Sequence, residues 1–99
     1  GLAEVTRNRR LSVLVHNAGI VRLGAAFRQP AAEVDRVLAT NLASFFHLVR
    51  GTVPAMARGG GGSVVVVSSI AAHLGLSGQA VYSASKAGLA AAVRALAHE

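Results

Sequence analysis

The chain has 99 residues, of which 53% are hydrophobic and 14% are charged. This length suits one small domain rather than two, and the apolar content excludes a disordered chain. Cysteine is absent from the sequence, which excludes disulfide frameworks and thiolate zinc sites and makes a cytoplasmic location the expectation.

The net charge of +6 raises the question of a nucleic-acid partner. The arginines are spread along the chain and aromatic residues make up only 4%, so we expect no nucleic-acid partner.

Apolar runs stay well short of the roughly 18 residues of a membrane span, so we expect no membrane partner. The histidines lie too far apart in sequence for a helical metal site, and we expect no metal: His16, His47, His73 and His98.

The first half of the chain predicts a strand, a loop and a long helix. The β-branched run at Leu11–His16 is typical of a strand, and "HNAG" then turns into a loop. From Ala31 to about Met56, apolar residues recur at steps of three and four, which predicts a helix whose last turn is made uncertain by Pro54. The glycine-rich "ARGGGGS" predicts a flexible surface turn.

The second half predicts a strand, a loop and a second helix. In "SVVVVSS" four valines follow one another without alternation, which predicts a central parallel strand with both faces buried under helices. "IAAHLGLSGQA" predicts a loop, and a helix follows from Gln79 or Ala80 to His98. The order strand, helix, strand, helix indicates the α/β class. Two buried strands still need neighbours, so we expect a βαβα segment of a larger doubly wound parallel sheet.

Tyr82 and Lys86 are the only tyrosine and the only lysine of the chain. Because they lie four residues apart on the second helix, their side chains share one face. An ammonium group favours a neighbouring phenolate, so the two residues form a plausible acid/base pair. The alternative is a surface pair in which the tyrosine is half-buried against the sheet and the lysine is solvated.

The position of this pair in the predicted fold favours a site. Ser68 and Ser69 end the second strand, and ligands of open parallel sheets bind beyond the carboxyl ends of strands. The second helix returns to the same edge, so Ser69 is expected to meet Tyr82 and its lysine partner there. Asn17 and Gly19 follow the first strand at that edge, where the glycine either admits a ligand close to the backbone or simply forms a turn.

The ordered motifs "HNAG", "TNL", "VVVVSSIAA" and "YSASK" resemble the short-chain dehydrogenase/reductase family, NAD(P)-dependent oxidoreductases with a Rossmann fold. The resemblance runs from about Leu11 to the end of the chain. It departs from the family pattern at His16, where the family usually has asparagine, cysteine or serine.

The resemblance implies four catalytic residues. Tyr82 would exchange a proton with the substrate oxygen, and Lys86 would support it and bind the nicotinamide ribose. Ser69 would polarise the substrate carbonyl. The backbone of Asn41 would hold a water that links the lysine to a proton relay. The substrate would be a small alcohol, ketone or aldehyde.

The resemblance also implies cofactor and subunit contacts. Asn17, Ala18 and Gly19 would stabilise the sheet beside the cofactor, which is NAD or NADP and would also contact Tyr82 and Lys86. The two long helices would form the interface of a homodimer or homotetramer.

Two parts of the family pattern do not occur in the sequence: the glycine-rich turn that cradles the pyrophosphate and the C-terminal substrate part. We therefore expect residues 1–99 to be a partial dinucleotide-binding domain that is inactive alone. The alternative is a non-catalytic dinucleotide-binding or interaction module with the same fold.

Overall fold

A computed structural model describes residues 10–99, which form a parallel pair of strands and four α-helices. In chain order the elements are β1 (Val13–His16), a 3-10 turn (Ala26–Arg28), α1 (Ala31–Leu38), a π-helical turn (Ala39–Ala43), α2 (Ser44–Arg58), β2 (Ser63–Val66), α3 (Ala71–Leu74) and α4 (Ala80–Leu96). The predicted α/β class is confirmed.

The two strands are parallel and in register, with Val13 opposite Ser63 and His16 opposite Val66. The backbone N–H of Val67 donates to the carbonyl of His16 at 3.0 Å, which extends the pairing one step beyond the strands. The carboxyl ends of both strands therefore lie side by side at one edge of the sheet.

The expectation that the valines of the second strand are buried on both faces is wrong for the described residues. Val65 is 46% exposed, and its partner Val15 on β1 is 57% exposed. Side chains alternate between the two faces of a strand, and the intervening Val64 and Val66 are better covered. Within residues 10–99 the sheet is thus covered on one face only. Helix α4 packs on the face of Val64 and Val66, and no helix in this range covers the face of Val15 and Val65.

The long predicted helix is divided by the π-helical turn and ends two residues later than expected. The spacing of apolar residues at three and four does not reveal such a turn, which widens a helix by one residue without breaking it. The helix also continues through Pro54 to Arg58. Met56 on the following turn is only 4% exposed, and its burial helps to offset the backbone hydrogen bond that proline removes.

One turn of helix, α3, lies inside the stretch predicted to be a loop. The Oγ of Ser69 accepts a hydrogen bond from the backbone N–H of Ala71 at 3.2 Å, and Gly75 ends the turn in the left-handed region at φ 63°. A serine before a helix and a glycine after it are the usual signals of such ends.

The core of the described residues is half polar. Five apolar residues are buried: Val37, Phe45, Met56, Ala71 and Leu89. Five polar residues are buried with them: His16, Asn41, Thr52, Ser85 and Lys86. Because buried polar groups must be hydrogen-bonded, these side chains are expected to form a specific network.

Two further findings concern partners. Among residues 10–99, no helix is long and apolar enough to cross a membrane. Within the same range, no three histidine, aspartate or glutamate side chains come together in a way that could hold a metal ion.

Gly62 lies where the chain enters β2 and has no room for a side chain. A Cβ there would lie 2.8 Å from the carbonyl oxygen of Ser12 and 2.9 Å from the sulfur of Met56. We expect Gly62→Ala to destabilise the protein by about 1–3 kcal/mol, because backbone must move to relieve the clash. Thermal unfolding measures the effect.

Gly59→Ala in the same loop is the matched control. Its Cβ would lie 3.3 Å from the flexible side chain of Arg10, so the expected change is within about 0.5 kcal/mol. Equal unfolding temperatures for the two variants would contradict the predicted crowding at Gly62.

Candidate active site

The carboxyl ends of β1 and β2 and the first turns of α4 form one edge of the molecule. The loop after β1 and the loop before α4 lie against each other there, joined by a backbone hydrogen bond of 3.0 Å from Gly24 to Gly78. Most of the predicted site residues belong to these segments, because parallel strands present their carboxyl ends on the same side.

Lys86 is buried, with only 4% of its surface exposed. Its Nζ donates to the carbonyl of Val67 at 3.2 Å and lies 5.9 Å from the ring centroid of the half-buried Tyr82. The alternative of a surface pair with a solvated lysine is therefore wrong. A buried ammonium group is costly unless polar groups surround it, so this placement marks a specialised position.

Gly19 lies directly against this ammonium group. A Cβ on Gly19 would be 3.2 Å from the Nζ of Lys86 and 3.7 Å from the Oδ1 of Asn41. Its backbone is not among those with positive φ, so the position requires space rather than a special turn. The group that approaches this backbone in the structure is the side chain of Lys86, and the approach of a ligand to Gly19 stays a prediction.

Asn41 lies in the π-helical turn and is completely buried. Its Oδ1 accepts from the backbone N–H of Ile20, and its Nδ2 donates to the backbone carbonyl of Ile20, each at 2.7 Å. The amide therefore binds the loop after β1 through both of its polar groups. The wide turn brings this side chain inside, and π-helical turns often occur at functional sites.

Ser85 connects Asn41 to α4, a contact that the sequence analysis did not predict. Its Oγ donates to the carbonyl of Tyr82 at 2.7 Å and accepts from the Nδ2 of Asn41 at 3.2 Å. Serine hydroxyls commonly bond to a carbonyl one turn back, so the residue type alone does not distinguish this position. What distinguishes Ser85 is its contact with Asn41, which lies 44 residues away in sequence.

The remaining predicted residues lie at the same edge but outside this network. The Oγ of Ser69 bonds to the backbone of Ala71, and in residues 10–99 no hydrogen bond joins it to Tyr82. Asn17 and Ala18 are exposed at the rim. The structure thus brings Gly19, Asn41, Tyr82 and Lys86 together and leaves the other three around them.

These residues fit the ribose end of a nicotinamide cofactor. An ammonium group has three N–H donors, and the Val67 carbonyl takes only one of those of Lys86. Gly19 leaves the backbone bare beside it. A ligand with adjacent hydroxyl groups could therefore bind Lys86 next to Gly19. The described residues fit only the ribose end of the cofactor, because the sequence contains no glycine-rich turn for the pyrophosphate.

The network predicts different effects for two serines of α4. Ser85→Ala removes a buried hydroxyl with two partners, so we expect it to lower stability by about 1–2 kcal/mol. Ser83→Ala removes a buried hydroxyl without a partner in the described residues, and its cost should be close to zero. Thermal unfolding of both variants, which carry the same chemical change, tests this. Equal losses would mean that the bond from Asn41 to Ser85 contributes nothing.

Comparison with known proteins finds a family model and curated relatives that match most of the chain. The family model described as short chain dehydrogenase matches residues 3–99. Nodulation protein G of Azospirillum brasilense is 40% identical over 89 residues, which are 90% of this chain and 36% of that protein. The 3-oxoacyl-[acyl-carrier-protein] reductase FabG of Buchnera aphidicola is 36% identical over 93 residues, which are 94% of this chain and 38% of that protein.

Solved structures agree with these relatives. A candidate NAD(P)-dependent gluconate 5-dehydrogenase from Beutenbergia cavernae, with NADP bound at low occupancy, is similar with a TM-score of 0.91 and 34% identity. The match covers 98% of this chain and 39% of that one. The chain thus spans well under half the length of the proteins it resembles.

Proposed function

The chain belongs to the short-chain dehydrogenase/reductase family, and from that premise we propose that it carries the catalytic segment of an enzyme interconverting an alcohol and a ketone or aldehyde with NAD or NADP. The observation that carries the proposal is the buried Lys86 on the same helix face as Tyr82, at the carboxyl ends of the strands. A binding protein without catalysis has no need for this costly placement of a charge.

The proposed reaction assigns the proton to Tyr82. Its hydroxyl donates a proton to the substrate oxygen during reduction and takes one back during oxidation. Lys86 places a positive charge beside the ring and thereby stabilises negative charge on the phenol oxygen. When bound, the nicotinamide would supply or accept the hydride.

The other predicted residues complete the proposed site. Ser69 donates a hydrogen bond to the substrate oxygen from the end of β2, which polarises the carbonyl. Asn41 holds a water on its backbone carbonyl, through which Lys86 exchanges protons with solvent. Asn17, Ala18 and Gly19 keep the loop after β1 beside the cofactor, where Gly19 leaves space next to the ammonium group.

We also propose that residues 1–99 form part of a larger dinucleotide-binding domain. The chain covers 36–38% of its curated relatives, and the uncovered face of the sheet carries Val13, Val15 and Val65 at 46–57% exposure. Apolar strand positions of this kind are normally covered by a second layer of helices. Activity is therefore expected from the complete product of the gene.

The loop between β2 and α4 supports an apolar substrate. Ile70 and Leu74 are each 67% exposed, and Leu76 is 37% exposed. These side chains belong to the segment that joins Ser69 to Tyr82. We therefore favour a ketone with an acyl or alkyl chain, as in the 3-oxoacyl reductase relatives, over a sugar acid.

Tyr82→Phe in the complete protein tests the mechanism. The ring and its packing are kept and only the hydroxyl is lost, so we expect kcat for a 3-oxoacyl ester to fall at least about 100-fold. Binding of NADPH or NADH, followed by fluorescence, should change little. Assays with both cofactors, and with 5-ketogluconate as a second substrate, show which pair the protein uses.

Unchanged turnover in Tyr82→Phe would remove this residue from the mechanism. A parent protein that binds the cofactor and reduces no carbonyl compound would favour the alternative, a dinucleotide-binding module without catalysis.

We propose, finally, that the two long helices form a subunit interface. The outer side of α4 exposes a row of small residues at steps of three and four: Ala84, Ala87, Ala91 and Ala95. Phe46 on α2 is 53% exposed. Small residues let helices approach closely, and an exposed phenylalanine gains from burial between subunits.

Ala91→Glu places a charge in this row and should dissociate the assembly, as measured by light scattering after gel filtration. Ala32→Glu on the exposed side of α1 is the control and should leave the mass unchanged. A monomeric parent, or an unaltered mass for Ala91→Glu, would contradict the proposed interface.

A further inference from the structure

His16 is a buried titratable residue that the proposed mechanism does not use. It is the last residue of β1 and is 1% exposed. Its Nε2 lies 3.3 Å from the backbone carbonyl oxygen of Asn41, whereas its Nδ1 is buried without a partner in the described residues. Because a carbonyl can only accept a hydrogen bond, Nε2 must carry the proton. The contact therefore selects one tautomer of the imidazole.

The ring of His16 has little freedom to move. Phe45 packs against it edge-on, with the ring centroids 5.7 Å apart at an angle of 81°. The carbonyl of His16 accepts from the backbone N–H of Val67, which fixes the residue in the sheet. The donor at Nε2 is therefore held in one place relative to Asn41 by the strand and by the aromatic contact.

The side-chain amide of Asn41 already has partners of its own, and the group that His16 contacts is the backbone carbonyl. Both N–H groups of the amide have partners, at Ile20 and Ser85, and the amide oxygen accepts from Ile20. A carbonyl oxygen has two lone pairs, so a bond from His16 leaves one of them for a water. A hydrogen bond from His16 restrains the peptide group of Asn41 and thereby the direction of the remaining lone pair.

We propose that His16 is a positioning residue, which orients the Asn41 carbonyl so that it can hold the water between Lys86 and solvent. This inference rests on the proposed function, in which that water relays protons. The role requires the neutral imidazole with the proton on Nε2.

The first test is the tautomer, measured by NMR on protein with 15N-labelled histidine at about pH 8, where an unperturbed histidine is neutral. We expect His16 to have a protonated Nε2 and an unprotonated Nδ1, with the signals assigned by their loss in His16→Gln. A proton on Nδ1 alone would overturn the proposal, since Nε2 would then have nothing to donate.

The second test separates the effect of losing the N–H donor of His16 from the effect of losing its aromatic ring. His16→Phe keeps an aromatic ring against Phe45 and removes the donor, and His16→Leu is a second variant without a donor. His16→Gln keeps an N–H at a similar reach. With NADPH and ethyl acetoacetate, the complete protein should lose about tenfold in kcat in the first two variants, because a misplaced catalytic group slows the chemical step.

In these donorless variants we expect the KM values for cofactor and ketone to stay within about twofold of those of the parent, and His16→Gln to recover most of kcat. Met56→Ala, at a buried position near the other end of α2, is the control for packing: it should lower the unfolding temperature without lowering kcat selectively. Parental kcat in His16→Phe and His16→Leu, or equal losses in the glutamine and donorless variants, would overturn the positioning role.

Failure of this inference can be told apart from failure of the proposed function. A parent protein that binds NADPH and shows no turnover overturns the proposed function, and the kinetic role of His16 with it. A parent with normal turnover, combined with donorless variants that are fully active, overturns the role of His16 alone.

Discussion

The candidate site depends on one buried amide, the side chain of Asn41. Its two short hydrogen bonds to the backbone of Ile20 join the loop after β1 to the helical crossover, 21 residues apart in sequence. Through Ser85 the same amide reaches α4, and through its backbone carbonyl Asn41 meets the end of β1. A buried amide without partners would cost about 1–3 kcal/mol for each lost bond, so these four segments are stabilised only in this arrangement.

The arrangement explains how a lysine can be buried beside a tyrosine. With α4 fixed by Ser85, the side chain of Lys86 extends along the helix to the end of β2, where the carbonyl of Val67 accepts from it. Gly19 offers no side chain on the opposite side. The ammonium group is therefore held between the carbonyl of Val67 and the backbone of Gly19.

The sequence predicted the α/β class, both strands and both long helices, because short β-branched runs and helical periodicity are local patterns. It also placed Tyr82 and Lys86 on one helix face. It did not predict the π-helical turn, which one extra residue produces without disturbing the apolar spacing. The contacts of Ser85 and His16 with Asn41 were missed because they join residues 44 and 25 positions apart in sequence, for which no local pattern exists.

The most direct test of the proposed site is a crystal structure of the complete protein with NADP⁺ bound. We predict a nicotinamide ribose hydroxyl within about 2.7–3.2 Å of the Nζ of Lys86, beside the backbone of Gly19, with the bonds from Asn41 to Ile20 intact. A cofactor bound with its ribose beyond hydrogen-bond reach of Lys86, at roughly 5 Å or more, would contradict it, because the buried ammonium group would then have another purpose.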